Sequence, residues 1–276
     1  MDKKKIDVKR ILSGLIGFPL VLVIFIFANN ICMDIAVSIL SIICMYEYFR
    51  CFSQNKKYNP SSWIGYIVSV LIAFESFVSH DIVKSVMIIV IPISILVLAI
   101  ELVCSKGKKN IIDVAITIFG ICYVPMMLSF LSFIRNMEGG KVLIWYPIIA
   151  AWGSDIWAYV IGRHFGKHKY TDISPNKTIE GCVAGILGAV IMAVIFTVVI
   201  NNVFHTEVNY IAIATITLIL SAIGQIGDLT ASSIKRHCNI KDFGQILPGH
   251  GGMLDRFDSV IFIIPFAYIS IMLFII

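Results

Sequence analysis

Charge is what this chain has least of. Asp, Glu, Lys and Arg make up only 14% of its 276 residues, while hydrophobic residues make up 58% and mean hydropathy is +0.91. That balance excludes an ordinary soluble globular domain, where roughly 25% of residues are charged. The seven cysteines form no C-x-x-C pair and are scattered along or beside apolar runs, so they read as small apolar fillers rather than a redox or zinc motif. No basic stripe with interleaved aromatics occurs, which speaks against nucleic acid as a partner. Internal repeats and low-complexity linkers are also missing, leaving a single integral membrane domain over residues 1–276 as the simplest organisation.

Apolar runs of membrane-crossing length recur throughout, at about 11–28, 31–48, 63–78, 83–102, 111–134, 142–161, 183–200, 210–226 and 260–276. An all-α, polytopic transmembrane bundle of about nine spans is therefore expected, with plain N-terminal spans over 1–140 and a polar, catalytic half over 141–276. The start MDKKKIDVKR precedes an apolar run but no small-residue cleavage site follows, so the first span is expected to be uncleaved. With the N-terminus inside, 19 of the 22 Lys and Arg residues fall in cytoplasmic segments, leaving only Lys84, Arg135 and Lys141 outside. This orientation places both polar clusters on the cytoplasmic side, in the plasma (inner) membrane. The net charge of +5 suits an anionic leaflet and contact with membrane lipids.

The first cluster opens with Asp155, Tyr159 and Arg163, which share a helix face at i, i+4, i+8 spacing. A carboxylate inside a span costs about 2.5 to 3.5 kcal/mol on insertion scales, so Asp155 needs a partner such as Tyr159 or Arg163, or a catalytic task. His164 and His168 have metal-like i, i+4 spacing, but the adjacent Gly162 and Gly166 favour a loop near phosphate or lipid headgroups. In Ser174-Pro-Asn-Lys-Thr-Ile-Glu-Gly181, Thr178 is placed to cap the next helix and Glu180 lies in its first turn. An anion could then rest against Lys177 and the helix N-terminus. Gly181, Gly185 and Gly188 permit close helix packing and would accommodate a homodimer.

The second cluster runs from Asp228 to Asp258. Asp228 stands one turn before Ser232, with Lys235 and Arg236 at the following turn. Lys241, Asp242 and then Pro248-Gly-His-Gly-Gly252 follow, a turn whose backbone amides could approach an oxyanion. Asp255 and Asp258, at i, i+3, are expected to point the same way, and with Asp228 they resemble an oxygen-ligand site for a hard cation. The competing reading for any one of these aspartates is a salt bridge to Arg236 or Arg256.

The pattern S-x-I-K-R, four residues, K-D-x-G, two residues, L-P-x-H-G-G-M-x-D-R-F-D resembles the signature of the phosphatidate cytidylyltransferases, also called CDP-diacylglycerol synthases. It is filled by Ser232, Ile234, Lys235, Arg236, Lys241, Asp242, Gly244, Leu247, Pro248, His250, Gly251, Gly252, Met253, Asp255, Arg256, Phe257 and Asp258. The S-P-N-K-T-I-E-G segment, and D-x-x-A-Y-x-x-G-R-x-x-G-K from Asp155 to Lys167, are also similar to that family. The resemblance implies transfer of the cytidylyl group from CTP to phosphatidic acid, giving CDP-diacylglycerol and pyrophosphate, with Mg2+ as cofactor. By analogy and by the spacing above, Asp228, Asp255 and Asp258 would bind the metal. Lys235, Arg236 and Lys241 would hold triphosphate or lipid phosphate. Ser174, Lys177, Thr178 and Glu180 would line the opposite wall, and His250, Gly251 and Gly252 would shape the phosphate site. Ser232, Asp242 and Arg256 complete the expected substrate contacts.

Two rivals stand beside this reading. A CTP-dependent polyprenol or lipid kinase would carry much the same cations and carboxylates. A secondary transporter could use Asp34, Glu47, Glu75, Glu101, Asp113 and Asp155, all in or near apolar runs, as an ion path. A CDP-alcohol phosphotransferase would require D-x-x-D-G, A-R and G-x-x-x-D-x-x-x-D in series, which is absent.

Overall fold

The computed structural model describes residues 19, 21–54, 57–77, 80–204, 207–246 and 251–274, and among these the regular structure is helical. In chain order the helices are α1 (Asn30–Ser53), α2 (Ser62–Leu71), α3 (His80–Cys104), α4 (Ile111–Ile121) and α5 (Met127–Asn136). They continue with α6 (Gly140–Leu143), α7 (Trp145–Ile148), α8 (Ser154–Phe165), α9 (Ile179–Phe204), α10 (Tyr210–His237) and α11 (Leu254–Phe274).

Among the described residues, five helical stretches are long and apolar enough to cross a membrane: Asn30–Ser53, Ile111–Asn136 (α4 and α5 joined by a π-helical stretch, Cys122–Met126), Ile179–Phe204, Tyr210–His237 and Leu254–Phe274. This is fewer than the nine expected from hydropathy. The run at 63–78 corresponds to a shorter apolar stretch, Ser62–Phe77, and the run at 83–102 lies within α3, whose described apolar part is Ile88–Cys104. The run at 142–161 is divided among α6, α7, a π-helical stretch Ile149–Gly153 and α8. Half of the run at 11–28, residues 11–18 and 20, lies outside the described residues. Hydropathy registers apolar content but does not see where a helix breaks or changes its winding.

The chain divides into two compact units, one built from the described residues up to Ser132 with the segment Cys238–Arg256, the other from Phe133–His237 with Phe257 onward. The described residues of 238–256 group with the N-terminal helices rather than with the rest of 141–276.

In the first unit α1 is central. Its Tyr48 hydroxyl donates to the Ile116 carbonyl at 3.0 Å, and the ring lies among Phe49, Phe52, Phe119 and Tyr123. Ser38 and Ser41 reach Ser69 of α2, each at 2.8 Å. Hydroxyl bonds of this kind join apolar helices without leaving polar groups unsatisfied. A capping box starts α4: Asn110 Oδ1 accepts from the amides of Ile112 and Asp113, while Asp113 Oδ2 accepts from the Asn110 amide.

In the second unit α9 packs on α8 through small residues. A β-carbon on Gly185 would lie 2.7 Å from the Ser154 carbonyl, and one on Gly181 2.8 Å from that of Ala158. Gly188 similarly admits the Trp157 side chain. These three glycines are therefore occupied by a contact within the chain, and they give no argument for a homodimer. The π-helical winding at Ile149–Gly153 disturbs the ordinary i to i+4 ladder, and the Ala150 carbonyl accepts from Ser221 Oγ of α10 at 3.2 Å. Gln225, one turn further along α10, donates to the Cys182 carbonyl at 2.8 Å and to Ser154 Oγ at 3.4 Å.

Candidate active site

The polar features of the second unit begin in the loop between α8 and α9. The Tyr170 amide donates to the Lys177 carbonyl at 2.9 Å, the Ile179 amide to the His168 carbonyl at 3.0 Å, and Lys169 and Thr178 form an isolated antiparallel bridge. Thr178 caps α9 as expected: its Oγ1 accepts from the Gly181 amide at 3.2 Å. Ser174 closes the inner turn, its carbonyl accepting from the Lys177 amide at 3.0 Å. Glu180 does something the sequence did not suggest. Oε2 accepts from the amides of Lys167 and His168 at 3.1 and 3.3 Å, and Oε1 meets His168 Nδ1 at 2.6 Å, so this carboxylate pins the loop. His164 contacts the Val160 carbonyl instead, and the two histidines share no ligand geometry. Gly162 and Gly166 are needed for packing on the cap, since a β-carbon on Gly166 would lie 2.6 Å from Thr178 Oγ1 and one on Gly162 3.0 Å from it.

This pinned loop presents Lys177 to α10, where its ammonium forms an ion pair with Asp228. Both side chains are about three-quarters buried, at 25% and 22% exposure. Burial opposes the charge on Lys177, but the Asp228 carboxylate, aided by Asp155, outweighs it and holds the ammonium above the ordinary lysine range. Asp228, Lys235 and Asp155 lie within electrostatic reach of Asp258, which is buried and accepts from the Ser259 amide at 2.7 Å. Arg236 Nε reaches the Ile173 carbonyl at 3.5 Å, adding a second tie between the end of α10 and the loop. Ser232 sits between these groups on α10 and is half-buried. The first cluster is thereby brought together with Asp228 and Arg236, members of the second that lie in the same unit. In the expected Asp155, Tyr159 and Arg163 tether, Arg163 Nη1 donates to Tyr159 Oη at 3.0 Å, and the Asp155 carboxylate favours the charge on Lys177 and opposes that on Asp258.

The remaining expected residues belong to the first unit. Helix α10 stops at His237, and Asn239 adopts φ of 56°, a left-handed conformation that asparagine tolerates after a helix end. Lys241, Asp242 and Arg256 are exposed, whereas Phe243, Gly244 and Gly252 are buried. Gly251 has φ of 88°, a conformation that favours glycine. His250, with Leu247, Pro248 and Gly249, lies outside the described residues.

Asp255 and Asp258 have different hydrogen-bond partners. Asp255 Oδ2 accepts from the amides of Phe243 and Gly252, at 2.9 and 3.0 Å. Glu47 of α1, fully buried, supplies the next two acceptors: Oε1 to the Met253 amide at 3.0 Å and Oε2 to the Leu254 amide at 2.8 Å. The amides of Gly252, Met253 and Leu254 are thus taken by carboxyl groups of the protein, while residues 248–250 of the glycine-rich turn lie outside the described residues. From the sequence, Glu47 reads only as one of several carboxylates on a possible ion path. The available signal was a carboxylate in an apolar run, which names no partner.

Among the described residues, no three His, Cys, Asp or Glu side chains form a group able to hold a metal. Asp228 and Asp258 carry oxygen donors, the type a hard cation prefers, and Asp228 lies within electrostatic reach of Asp258. Lys177 provides the counter-charge to Asp228.

Comparison with known proteins bears directly on this arrangement. The cytidylyltransferase family model matches residues 8–274. The phosphatidate cytidylyltransferase of Bacillus subtilis (strain 168) is 34% identical over 275 residues, covering 98% of this chain and 99% of the relative. That of Staphylococcus haemolyticus (strain JCSC1435) is 40% identical over 164 residues, or 59% of this chain and 61% of the relative. The protein of the same name from Staphylococcus aureus (strain COL) is 41% identical over 166 residues, with the same coverage. Since the match runs through the plain N-terminal helices as well as the polar segments, the chain belongs to the cytidylyltransferase family.

Proposed function

We propose that this protein is a membrane-bound nucleotidyltransferase that transfers the cytidylyl group of CTP to phosphatidic acid, releasing pyrophosphate and forming CDP-diacylglycerol for phospholipid biosynthesis. The observation that carries the reading is the family match over almost the full chain, together with the meeting of Lys177 and Asp228 from its two polar segments. The reaction needs no enzyme nucleophile. A phosphate oxygen of phosphatidic acid attacks the α-phosphorus of CTP, the bond to the bridging oxygen breaks, and pyrophosphate leaves carrying the displaced negative charge. What the protein must provide is placement and positive charge. Lys177, Lys235 and Arg236 are the cations proposed for this work in the second unit. Lys241, Asp242, His250 and Arg256 remain proposed substrate contacts on the strength of the family resemblance, and Ser232 and Ser174 accompany them.

Magnesium is the proposed cofactor, held by the carboxylates of Asp228 and Asp258, and it would neutralise phosphate charge as pyrophosphate leaves. Asp255, the third member of the expected set, remains a proposed ligand on the strength of the family resemblance, and its Oδ2 also holds the turn before α11. Glu180 and Thr178 serve by shaping the loop that carries Lys177. The protein is proposed to cross the inner membrane about nine times, with its N-terminus and site on the cytoplasmic side, supported by the 19 to 3 partition of basic residues.

The proposed ion path of a transporter finds less support. Asp34 bonds to Ser76, Glu47 to Met253 and Leu254, Glu101 to Lys109 and Ser61, and Asp113 caps α4 while accepting from the Asn59 amide. Each of these carboxylates has a local structural task. The deciding assay uses purified protein with phosphatidic acid, magnesium and CTP labelled at the α- or γ-phosphate. Label from the α-position should enter the lipid and pyrophosphate should be released. Transfer from the γ-position alone would replace this reading with the lipid kinase.

A further inference from the structure

We infer that Glu47 is a positioning residue of the reaction proposed above, acting from α1 through the backbone of the turn that opens α11. A helix start leaves its first amides without intrahelical acceptors, and an anion beside them is favoured by the helix dipole. Here Glu47 takes the Met253 and Leu254 amides while Asp255 takes that of Gly252, so three consecutive amides are fixed by two carboxyl groups. Glu47 is fully buried in a helix of membrane-crossing length, where a carboxyl group is costly.

The glycines provide an independent observation. Gly251 needs glycine for its positive φ, but Gly244 and Gly252 have no such backbone requirement. Both are confined by Glu47 instead. A β-carbon on Gly252 would sit 2.5 Å from Oε2 and 2.7 Å from Oε1, and one on Gly244 would overlap Oε1 and lie 2.8 Å from Cδ. Two glycines in the polar stretch are therefore explained by a carboxylate roughly 200 residues away in sequence. The Glu47 side chain, Gly244, Gly252 and the two amides form one fitted assembly, and its product is the position of the backbone from which Asp255 and α11 begin.

The test uses the full-length protein in lipid nanodiscs, comparing wild type with Glu47→Gln and Gly252→Ala. Glu47→Gln keeps the side-chain size but turns an amino group toward one of the two backbone amides. Hydrogen exchange at Met253 and Leu254 should accelerate by at least about tenfold, with no comparable change in α9. Misplacement of a reacting geometry by about 1 Å costs on the order of a hundredfold in rate. A fall in kcat of roughly that size is expected, with a shifted magnesium midpoint in the folded fraction. Gly252→Ala should give the same exchange and kinetic pattern with Glu47 intact, and it decides the matter if Glu47→Gln does not fold. Normal protection in the variant, or lost protection with kcat and magnesium midpoint within twofold of wild type, overturns the inference. Wild-type protein inactive with CTP and phosphatidic acid would refute the proposed reaction, while the exchange measurement would still report whether Glu47 fixes the turn.

Discussion

Replacing Lys177 with Met, Asp228 with Asn, and then both together separates what their ion pair does for the fold from what its members do for the reaction. The two side chains are about three-quarters buried, which places the pair between two known regimes. Exposed pairs contribute about 0.2 to 1 kcal/mol, whereas removing one member of a fully buried pair costs about 3 to 5 kcal/mol, because the other charge is left without a partner. Each single substitution should therefore cost about 2 kcal/mol, a change of roughly thirtyfold in the folded-to-unfolded ratio. The double variant buries neither charge and should recover about 1 to 2 kcal/mol of the summed loss, measured as the coupling energy of a cycle on unfolding in mixed micelles. Turnover should behave differently. If Lys177 and Asp228 also serve the substrates, the double variant regains stability but remains as inactive with CTP as the worse single variant. Additive stability losses would refute the pair as a structural unit, and near-normal turnover in the double variant would refute its placement in the site.

Asp258→Asn should lower turnover by roughly a hundred- to a thousandfold, the size of losing one electrostatic contact to the transition state, and move the magnesium midpoint upward; a normal midpoint in a magnesium titration at saturating CTP would show that Asp258 is not a ligand. Thr178→Ala removes the cap of α9 and should cost about 1 kcal/mol, while Thr178→Ser should cost much less, as read from thermal unfolding of both variants. Gly166→Ala should be more damaging than either, since its β-carbon meets both Thr178 and the Gly162 carbonyl, and protease sensitivity of the 166–178 loop should rise. On a cysteine-depleted background, single cysteines near Lys108, Lys167 and Lys241 should react with an impermeant reagent only from the cytoplasmic side, and one near Glu138 only from the other; labelling near Lys241 from outside would refute the proposed topology.

Composition by itself determined that this is a helical membrane protein, because a chain with so little charge cannot cover a soluble surface and lipid requires backbone bonds to close within a segment. The motifs determined the family, since the spacing from Ser232 to Asp258 is local information carried on neighbouring residues. The cap at Thr178 was legible for the same reason: its partner, the Gly181 amide, is three residues away. Tertiary structure decided the rest. Hydropathy could not locate the π-helical break at Ile149–Gly153, as winding depends on which carbonyls find partners such as Ser221. Spacing placed Asp255 and Asp258 on one face, yet their hydrogen bonds differ, because Asp255 is claimed by two amides of the turn before it. Lys177 with Asp228, and Glu47 with Met253 and Leu254, are partners across 51 and 206 to 207 residues. No period or local propensity encodes such a distance; a half-buried charge and a buried carboxyl group announce that they need partners, and only the packing of helices chooses which.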